Sequence, residues 1–546
     1  MVNTNTRYST IPVYLEPEEE EDQNGRSQEE VSLLKCSPHS SSPFWKRRPC
    51  LGIFIAILST FVITSTTITL YNRKQTQQEA PILQGKKNVI MMISDGFGPA
   101  SETFARQYYT WLGNRSVTTM LPLDEIHIGH SRTQSSSSLI TDSAAGATAF
   151  ACAKKSYNGA IGVDPHEIPC GTVLESAKIH QDMLTGLVVT SRVTHATPAA
   201  FSSHVAWRDW EPLIAEQQIG FNPLGRTVDL MFGGGRCEFT RNSSANSCRA
   251  DDRDLFQEAQ DKFQWNIILS KEEYDQLNTK NVQLPLMALF SSGHMDYEMD
   301  RKPNEQPALH EMTRKALDIL KAKSEEQDKG FFLMIEGSRI DMAAHNNDPA
   351  AHFHEILEYQ RTAALVKEFV ENNPNTVMIS TSDHETGGLT AGRQVGEDYP
   401  EYLWYPERLS HVANSSEALA FAWDMACHKK DVDEQTNMDY LREILIRAGL
   451  GIHDATIEEI EKIKGWITAN KTVYDLAYMF SDMTSQRALI GWTTHGHTAV
   501  DVNLYAMGPE TEALRGSHEN IEIGEFISKF LGLDLDDVTK RLVDGR

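Results

Sequence analysis

Short apolar runs separated by longer amphipathic segments constrain the fold of this chain most strongly. Five runs have the length and apolar composition of buried strands, and segments such as Pro349–Glu371 have the length of helices. The runs are Asn88–Gly98, Leu184–Pro198, Phe331–Asp341, Thr376–Gly388 and Asp501–Gly508. Alternation of this kind is typical of crossover connections. The sequence therefore predicts the α/β class, with a large, mainly parallel central sheet and flanking helices.

Polar side chains come directly after the apolar residues of three of these runs. Asp95 comes after those of the first run, Glu336 after those of the third, and Asp383 and His384 after those of the fourth. One acid in such a place is commonly a helix cap. Because open α/β sheets bind ligands at the carboxyl ends of their strands, several polar residues there indicate a shared site.

Two further pairs have spacings that suit metal ligands. Asp341 and His345 are four residues apart, so in a helix they point to one face, although such pairs also occur on ordinary solvated helices. His495 and His497 precede the last run and are interpreted as one ligand and one bystander. Asp and His ligands suit zinc, whereas carboxylate and hydroxyl ligands suit magnesium.

The stretch "LITDSAAGATAF", Leu139–Phe150, has two interpretations. In one, Ser143 caps a tightly packed helix of small residues. In the other, Ser143 is an exposed nucleophile whose hydroxyl and neighbouring free N–H groups face an anionic ligand. The stretch alone does not decide between them.

The N-terminal part differs in composition from the rest. Residues 1–48 are acidic and Ser-rich and are predicted to be a disordered tail. Residues 49–72 carry no charge over 24 positions, enough to cross a hydrocarbon core of about 30 Å as a helix. A cleaved signal peptide is the weaker alternative, because the segment starts far from Met1. We expect a transmembrane signal anchor at 49–72, a linker at 73–87 and one large domain at 88–546.

The positive charges on the two sides of this anchor are equal in number, so they do not predict its orientation. The positions of the glycosylation sequons predict it instead. The four sequons all lie in the large domain, at Asn114, Asn242, Asn414 and Asn470. We therefore predict a type II single-pass protein with a cytosolic N-terminus and a lumenal large domain.

The seven cysteines agree with a lumenal domain. The pairs Cys152/Cys170 and Cys237/Cys248 are each close in sequence and are candidates for disulfide bonds in an oxidising lumen, which would leave Cys427 unpaired. Their connectivity stays open at this stage.

The net charge and one short motif indicate which partners this protein could bind. The formal charge of −25 excludes a protein that binds nucleic acid through a basic surface. In the tail, "EEVSLL", Glu29–Leu34, resembles a sorting signal for endosomes or vacuoles that a trafficking adaptor would read, although a chance match in a Glu-rich tail is equally consistent.

Eight motifs together resemble the alkaline phosphatase family, in particular its membrane-anchored fungal vacuolar branch. They occur in family order between about Asn88 and Leu533. They are "SDGFG", "TDSAAGATA", "THATPAA", "WRDW", "SSGHMDYEMDR", "IEGSRIDMAAH", "TSDHETGG" and "HGHTAVDV". The resemblance implies broad, metal-dependent hydrolysis of phosphate monoesters, including those on peptides and proteins, by a homodimer in a vacuole-like or lysosome-like compartment.

The resemblance also implies a role for each matching residue. Ser143 would be the nucleophile that becomes phosphoserine, Arg208 would bind the phosphate, and Asp142 would orient Arg208. Two zinc ions and one magnesium ion would share the remaining residues. The expected ligands are Asp341, His345 and His497 for one zinc, Asp95, Asp383 and His384 for the other, and Asp95, Glu336 and Thr197 for magnesium.

Two positions depart from the best-known bacterial pattern. His195 stands where that pattern has an aspartate, and we expect it beside the magnesium ligands. Met342 stands where the pattern has a lysine near the bound phosphate, so bacterial pH optimum, phosphate affinity and magnesium dependence do not transfer.

Two other classes of protein compete with this interpretation. A sulfatase or phosphodiesterase would use related chemistry, but the stretch "CSPHS" at Cys36 lacks the arginine of the sulfatase signature. A metal-stabilised receptor ectodomain without activity would lack Ser143, Arg208 or a ligand, and none of these is missing.

Overall fold

The computed structural model describes residues 86–429, 432–469 and 471–545. The predicted tail, the anchor at 49–72, the linker as far as residue 85, the Glu29–Leu34 motif and Asn470 lie outside the described residues. The described residues belong to one compact unit. None of the described helices has the length and apolar character needed to cross a membrane.

Ten of the described strands form the central sheet. In chain order the sheet strands are β1 (Asn88–Ile93), β2 (His127–Arg132), β3 (Leu184–Arg192), β4 (Leu230–Gly234), β5 (Asn266–Ile268), β6 (Leu286–Leu289), β7 (Phe331–Glu336), β8 (Thr376–Thr381), β13 (Val502–Met507) and β14 (Gly516–Glu519). The short strands are β9 (Glu385–Thr386), β10 (Thr390–Ala391), β11 (Ile490–Gly491) and β12 (His497–Thr498). The spatial order in the sheet is β14-β2-β13-β8-β1-β7-β3-β4-β6-β5.

The sheet is mixed, and one strand accounts for this. The other sheet strands pair in parallel, whereas β13 is antiparallel to both β2 and β8. β12 lies in the chain just before β13, beside residues that follow β8, so β13 begins near the end of β8 and must run back along it. The α/β class is confirmed, with a mixed sheet that is parallel over most of its width.

Helices cover both faces of this sheet, and further helices lie in an insertion between β10 and β11. In chain order they are α1 (Pro99–Leu112), α2 (Ser143–Cys152), α3 (Val173–Gln181), α4 (Ala196–Ser202), α5 (Glu211–Ile219), α6 (Leu255–Phe263), α7 (Lys271–Asp275), α8 (Leu309–Gln327), α9 (Arg339–His345), α10 (Pro349–Asn372), α11 (Ser416–Cys427), α12 (Glu434–Asp439), α13 (Ile457–Gly465), α14 (Val473–Ala488), α15 (Asn520–Leu531) and α16 (Leu535–Asp544). α10 matches the predicted helix within one residue.

Burial on both faces explains why the strands are continuously apolar. In β1, Ile90 and Met92 pack into one hydrophobic core, while Val89 and Met91 pack into a second core on the opposite face. Alternate residues of a strand point to opposite faces, so a strand between two helical layers needs apolar side chains at every position.

A helical insertion, residues 392–489, leaves the body after β10 and returns at β11. β10 and β11 pair with each other in an antiparallel two-stranded ladder, which closes the insertion at its base. Its helices α11 to α14 share a hydrophobic core of their own, which includes Leu419, Trp423 and Phe480. The sequence did not predict this separate core.

The structure contains both expected disulfide bonds, Cys152–Cys170 and Cys237–Cys248, and Cys427 is free. Cys152 is the last residue of α2, so the first disulfide ties the end of that helix to the segment that precedes α3. The two candidate pairs, whose connectivity the sequence left open, are therefore the pairs that the structure contains.

Candidate active site

The carboxyl ends of β7, β1 and β8 lie side by side and bring three acids together. Glu336 is the last residue of β7, while Asp95 and Asp383 each follow their strand by two residues. All three side chains and that of His384 are fully buried. The structure therefore places these four predicted residues in one site at this edge of the sheet.

Ser143 is the first residue of α2 and faces this site. The cap of the helix is Asp142, whose Oδ1 accepts a hydrogen bond of 3.0 Å from the Ala145 N–H. Ser143 Oγ lies 3.1 Å from Nε2 of His384 and 3.5 Å from Oδ1 of Asp95. Because Asp142 caps the helix, the Ser143 hydroxyl remains directed at the acids and the histidine.

Asp142 also holds Arg208 in place. Oδ2 of Asp142 accepts a hydrogen bond of 3.0 Å from Nη1 of Arg208 and one of 2.9 Å from the Gly159 N–H. Nη2 of Arg208 lies 3.1 Å from Nε2 of His195. Burial alone would lower the pKa of Arg208, but the Asp142 carboxylate raises it, so the guanidinium stays charged. A planar cation fixed in this way is suited to bind phosphate oxygens.

The first group of ligand atoms comprises Asp341, His345 and His497. α9 places Asp341 and His345 on one face, with 3.3 Å between Oδ2 and Nε2. Nε2 of His497 lies 3.1 Å from Nε2 of His345 and 3.6 Å from Oδ1 of Asp341. Two ring nitrogens and a carboxylate that converge so closely form a ligand set of the kind that zinc prefers.

Two more groups share Asp95. Asp383 and His384 join it on one side, where Nε2 of His384 lies 3.4 Å from a carboxylate oxygen of each acid. His195 and Glu336 join it on the other side. We expected His195 beside the magnesium ligands, and the structure places it within the ligand group itself.

Several ligand atoms of these two groups are buried without a hydrogen-bond partner, a costly state for a polar atom. They are Asp95 Oδ2, Asp383 Oδ2, Glu336 Oε1, His195 Nδ1 and Thr197 Oγ1. The Thr197 hydroxyl is near enough to Glu336 to lower the pKa of that carboxyl, but it makes no hydrogen bond of ordinary geometry. Bound cations would satisfy these atoms together.

The pKa values of the carboxyl groups show how strongly the site lacks positive charge. Burial, followed by the charge of Asp383, raises the pKa of Asp95 well above its ordinary value. Burial also raises the pKa of Asp383 and that of Glu336 to about 7 each. For Asp341, burial is outweighed by His345, which holds the pKa well below its usual range. Divalent cations would favour the ionised form of all four carboxyl groups.

Some residues that support these ligands were not predicted from the sequence. Thr386 Oγ1 donates a hydrogen bond of 2.6 Å to Oδ1 of Asp341 and lies 3.2 Å from Nδ1 of His384. His495 exchanges hydrogen bonds with His345, because the ring nitrogen Nδ1 of each faces the backbone oxygen of the other. His495 therefore positions a ligand. Thr386 and His495 each lie two residues from a predicted ligand in the sequence, and this proximity was the only sequence feature that pointed to them.

Two glycines permit the close packing of this site. A Cβ atom on Gly146, in α2, would lie 2.9 Å from Cβ of Asp383. Gly96 has a φ of +75°, and a Cβ atom there would lie 2.5 Å from Cα of Asp341. The small residues of "LITDSAAGATAF" therefore let α2 approach the loop that carries Asp383 and His384.

Known proteins similar to this chain are alkaline phosphatases. The model of the family described as alkaline phosphatase matches residues 86–533. The alkaline phosphatase of Schizosaccharomyces pombe is 50% identical over 501 residues, which cover 92% of this chain and 90% of that protein. The repressible alkaline phosphatase of Saccharomyces cerevisiae is 44% identical over 514 residues, which cover 91% of this chain and 88% of that protein.

A solved structure agrees with these sequence relatives. The cold-active alkaline phosphatase of a psychrophilic Shewanella sp. superposes with a TM-score of 0.66 and 29% sequence identity. The match covers 81% of this chain and 99% of that chain. The fold of the described domain is therefore that of an enzyme of known structure over nearly its whole length.

The Gly146→Ala variant tests the packing of α2 against Asp383. The added methyl group would displace the loop that carries Asp383 and His384, and we expect zinc affinity, measured by calorimetry, to fall about 10-fold or more. Gly465→Ala is the matched control, because a Cβ atom at this other helical glycine would meet no atom within 4 Å. Equal zinc affinities for the wild type and both variants would contradict this prediction.

Proposed function

The chain belongs to the alkaline phosphatase family, and on that basis we propose that it hydrolyses a broad range of phosphate monoesters through a phosphoserine on Ser143. The observation that carries this proposal is the position of the Ser143 hydroxyl. It lies beside the groups of ligand atoms and lines the same cavity as Arg208. A nucleophile beside a fixed guanidinium is the arrangement that attack on a phosphoryl group requires.

The residues present fit two zinc ions and one magnesium ion. Asp341, His345 and His497 would hold one zinc, and Asp95, Asp383 and His384 the other; Asp95, Glu336 and Thr197 would hold magnesium, with His195 beside them. When bound, these cations would favour the ionised Ser143 hydroxyl and neutralise the negative charge that builds up on the phosphoryl and leaving-group oxygens.

The first chemical step forms the phosphoserine. Arg208, held by Asp142, would bind two phosphate oxygens and orient phosphorus toward Ser143. Ser143 Oγ gives its proton to water and bonds to phosphorus, the ester P–O bond breaks, and the departing oxygen takes a proton from water to leave as the alcohol. Ser143 Oγ lies 3.1 Å from His384 Nε2 and 3.5 Å from Asp95 Oδ1, so these side chains fix the position of the hydroxyl.

The second step restores the enzyme. A water molecule attacks phosphorus from the side that the alcohol left, the bond to Ser143 Oγ breaks, and inorganic phosphate is released. Arg208 and Ser143 contact the phosphoryl group in both steps. Small alcohols and the hydroxyl side chains of peptides or proteins are therefore all candidate leaving groups.

Features of the large domain support a lumenal location, which we propose together with membrane anchoring through residues 49–72. Three sequon asparagines, Asn114, Asn242 and Asn414, lie exposed on the surface. The two disulfide bonds suit an oxidising compartment. We extend the proposal to a vacuolar membrane, adaptor recognition of Glu29–Leu34 and a homodimer, each of which follows from the family resemblance or the tail sequence.

Replacement of Ser143 tests the nucleophile. We expect the full-length Ser143→Ala variant to lose about 10³-fold or more in kcat on an aryl phosphate at alkaline pH, because no covalent intermediate forms. Ser136→Ala, at an exposed serine of the preceding segment, should retain wild-type activity. Acid quenching of the wild type during turnover should yield a peptide phosphorylated at Ser143, and an active Ser143→Ala variant would refute the mechanism.

Protease protection of sealed vesicles tests the topology. With a tag at each terminus of the full chain, the N-terminal tag should be digested and the C-terminal tag should survive until detergent opens the vesicles. Digestion of the C-terminal tag in sealed vesicles would overturn the lumenal assignment.

A further inference from the structure

The cavity that contains Ser143 extends well beyond the space needed for a phosphoryl group. Its volume is about 590 Å³, and Ser143, Arg208 and His497 line it. The helical insertion also lines it, with Phe421 on α11 and with Tyr474 and Tyr478 on α14. The group attached to the phosphate would therefore lie between the metal-ligand residues and this insertion.

Two of these aromatic side chains are free to receive a ligand. Phe421 is 45% exposed and Tyr474 is 53% exposed, although both rings border the cavity. Tyr478 is already engaged, because its ring stacks on His495 with 3.8 Å between the ring centroids. In the part of the chain that the structure describes, no aromatic ring stacks on Phe421 or Tyr474.

Hydrogen bonds fix the position of α11 relative to the site. The Ser416 N–H donates to Asp348 over 2.6 Å, and the Ser415 N–H donates to Asp300 over 3.1 Å. Glu417 pairs with Arg339 at 2.7 Å. Arg339 lies in α9, the helix that carries two of the zinc-type ligands, so the first turn of α11 is attached directly to that helix. Phe421 follows Glu417 by one helical turn.

α14 is attached to the same region. Ser481 donates a hydrogen bond of 2.6 Å to the backbone oxygen of Asn346, and Ser485 donates one of 3.2 Å to that of Asn347. Both acceptors follow α9 directly in the chain. Because α11 and α14 are both anchored to the α9 region, Phe421 and Tyr474 are held at a set distance from Ser143, as a binding site requires.

We propose that Phe421 and Tyr474 form an aromatic subsite that binds the leaving group of the substrate and favours phosphate monoesters of flat, apolar or aromatic alcohols. The proposal rests on the proposed phosphatase function. Stacking on an aromatic ring favours a flat apolar group over a small polar one. Because the alcohol departs when the phosphoserine forms, the subsite acts on kcat/KM and takes no part in hydrolysis of the phosphoserine.

Paired substrates test this subsite with the full-length, metal-loaded enzyme. We expect Phe421→Ala and Tyr474→Ala each to lower kcat/KM for 2-naphthyl phosphate about 5-fold, and the double variant to lower it about 20-fold. Values for glycerol 2-phosphate should stay within about 2-fold of the wild type. Tyr402→Ala, at a ring that is 86% exposed outside this cavity, is the control and should change neither substrate.

Equal losses on the two substrates, or no loss on either, would overturn the subsite. Binding of 2-naphthylmethylphosphonate and methylphosphonate, measured by calorimetry, separates this result from a failure of the proposed function. A wild type that hydrolyses neither ester but binds the naphthyl compound more tightly through Phe421 and Tyr474 would refute the phosphatase activity and retain the subsite. Equal affinities for both phosphonates would refute the subsite whatever the activity.

Discussion

The mutual repulsion of four buried carboxyl groups is the constraint on which the rest of this site depends. Asp95, Glu336, Asp341 and Asp383 converge at one edge of the sheet, and the guanidinium of Arg208 is a permanent positive charge that acts on Asp95. Uncompensated charge of this density is costly away from water. The ligand groups therefore fit a protein whose site is complete only with cations, and an anionic phosphoryl group is the ligand that such a site would bind.

The architecture explains how so costly an arrangement is held together. β1 lies between β7 and β8, so the three polar strand ends are neighbours for purely topological reasons. α2 then approaches them closely because Gly146 lacks a side chain. Asp142 adds a second constraint, because it caps α2 and also holds Arg208 through a hydrogen bond. One residue thus sets the positions of both the proposed nucleophile, Ser143, and the cation proposed to bind phosphate, Arg208.

The sequence predicted the parts of this structure that local patterns determine. Continuous apolar runs identified β1, β3, β7 and β8, and the four-residue spacing of Asp341 and His345 predicted their shared helix face, which α9 confirms. Strand direction is not encoded in such runs, so the reversal of β13 was not predicted. The contact of Arg208 with Asp142 joins residues 66 positions apart, and only the family resemblance suggested it. The contact of Arg208 with His195 was not predicted.

The helical insertion was the largest feature that the sequence left unpredicted. Its helices are amphipathic like those of the body, so their pattern does not reveal that they pack on one another to form a separate core. It brings Phe421 and Tyr474 to a site whose chemistry is carried by the sheet edge. In the proposed mechanism, phosphoryl chemistry and leaving-group selection would therefore belong to different parts of the chain.

Location of bound metals tests the central claim most directly. In crystals of the full-length protein, anomalous difference maps at the zinc edge should show two zinc ions per chain. One should lie among Asp341, His345 and His497, and the other among Asp95, Asp383 and His384. A protein that retains full activity after chelation, with these side chains in direct hydrogen bonds and no bound metal, would contradict the account.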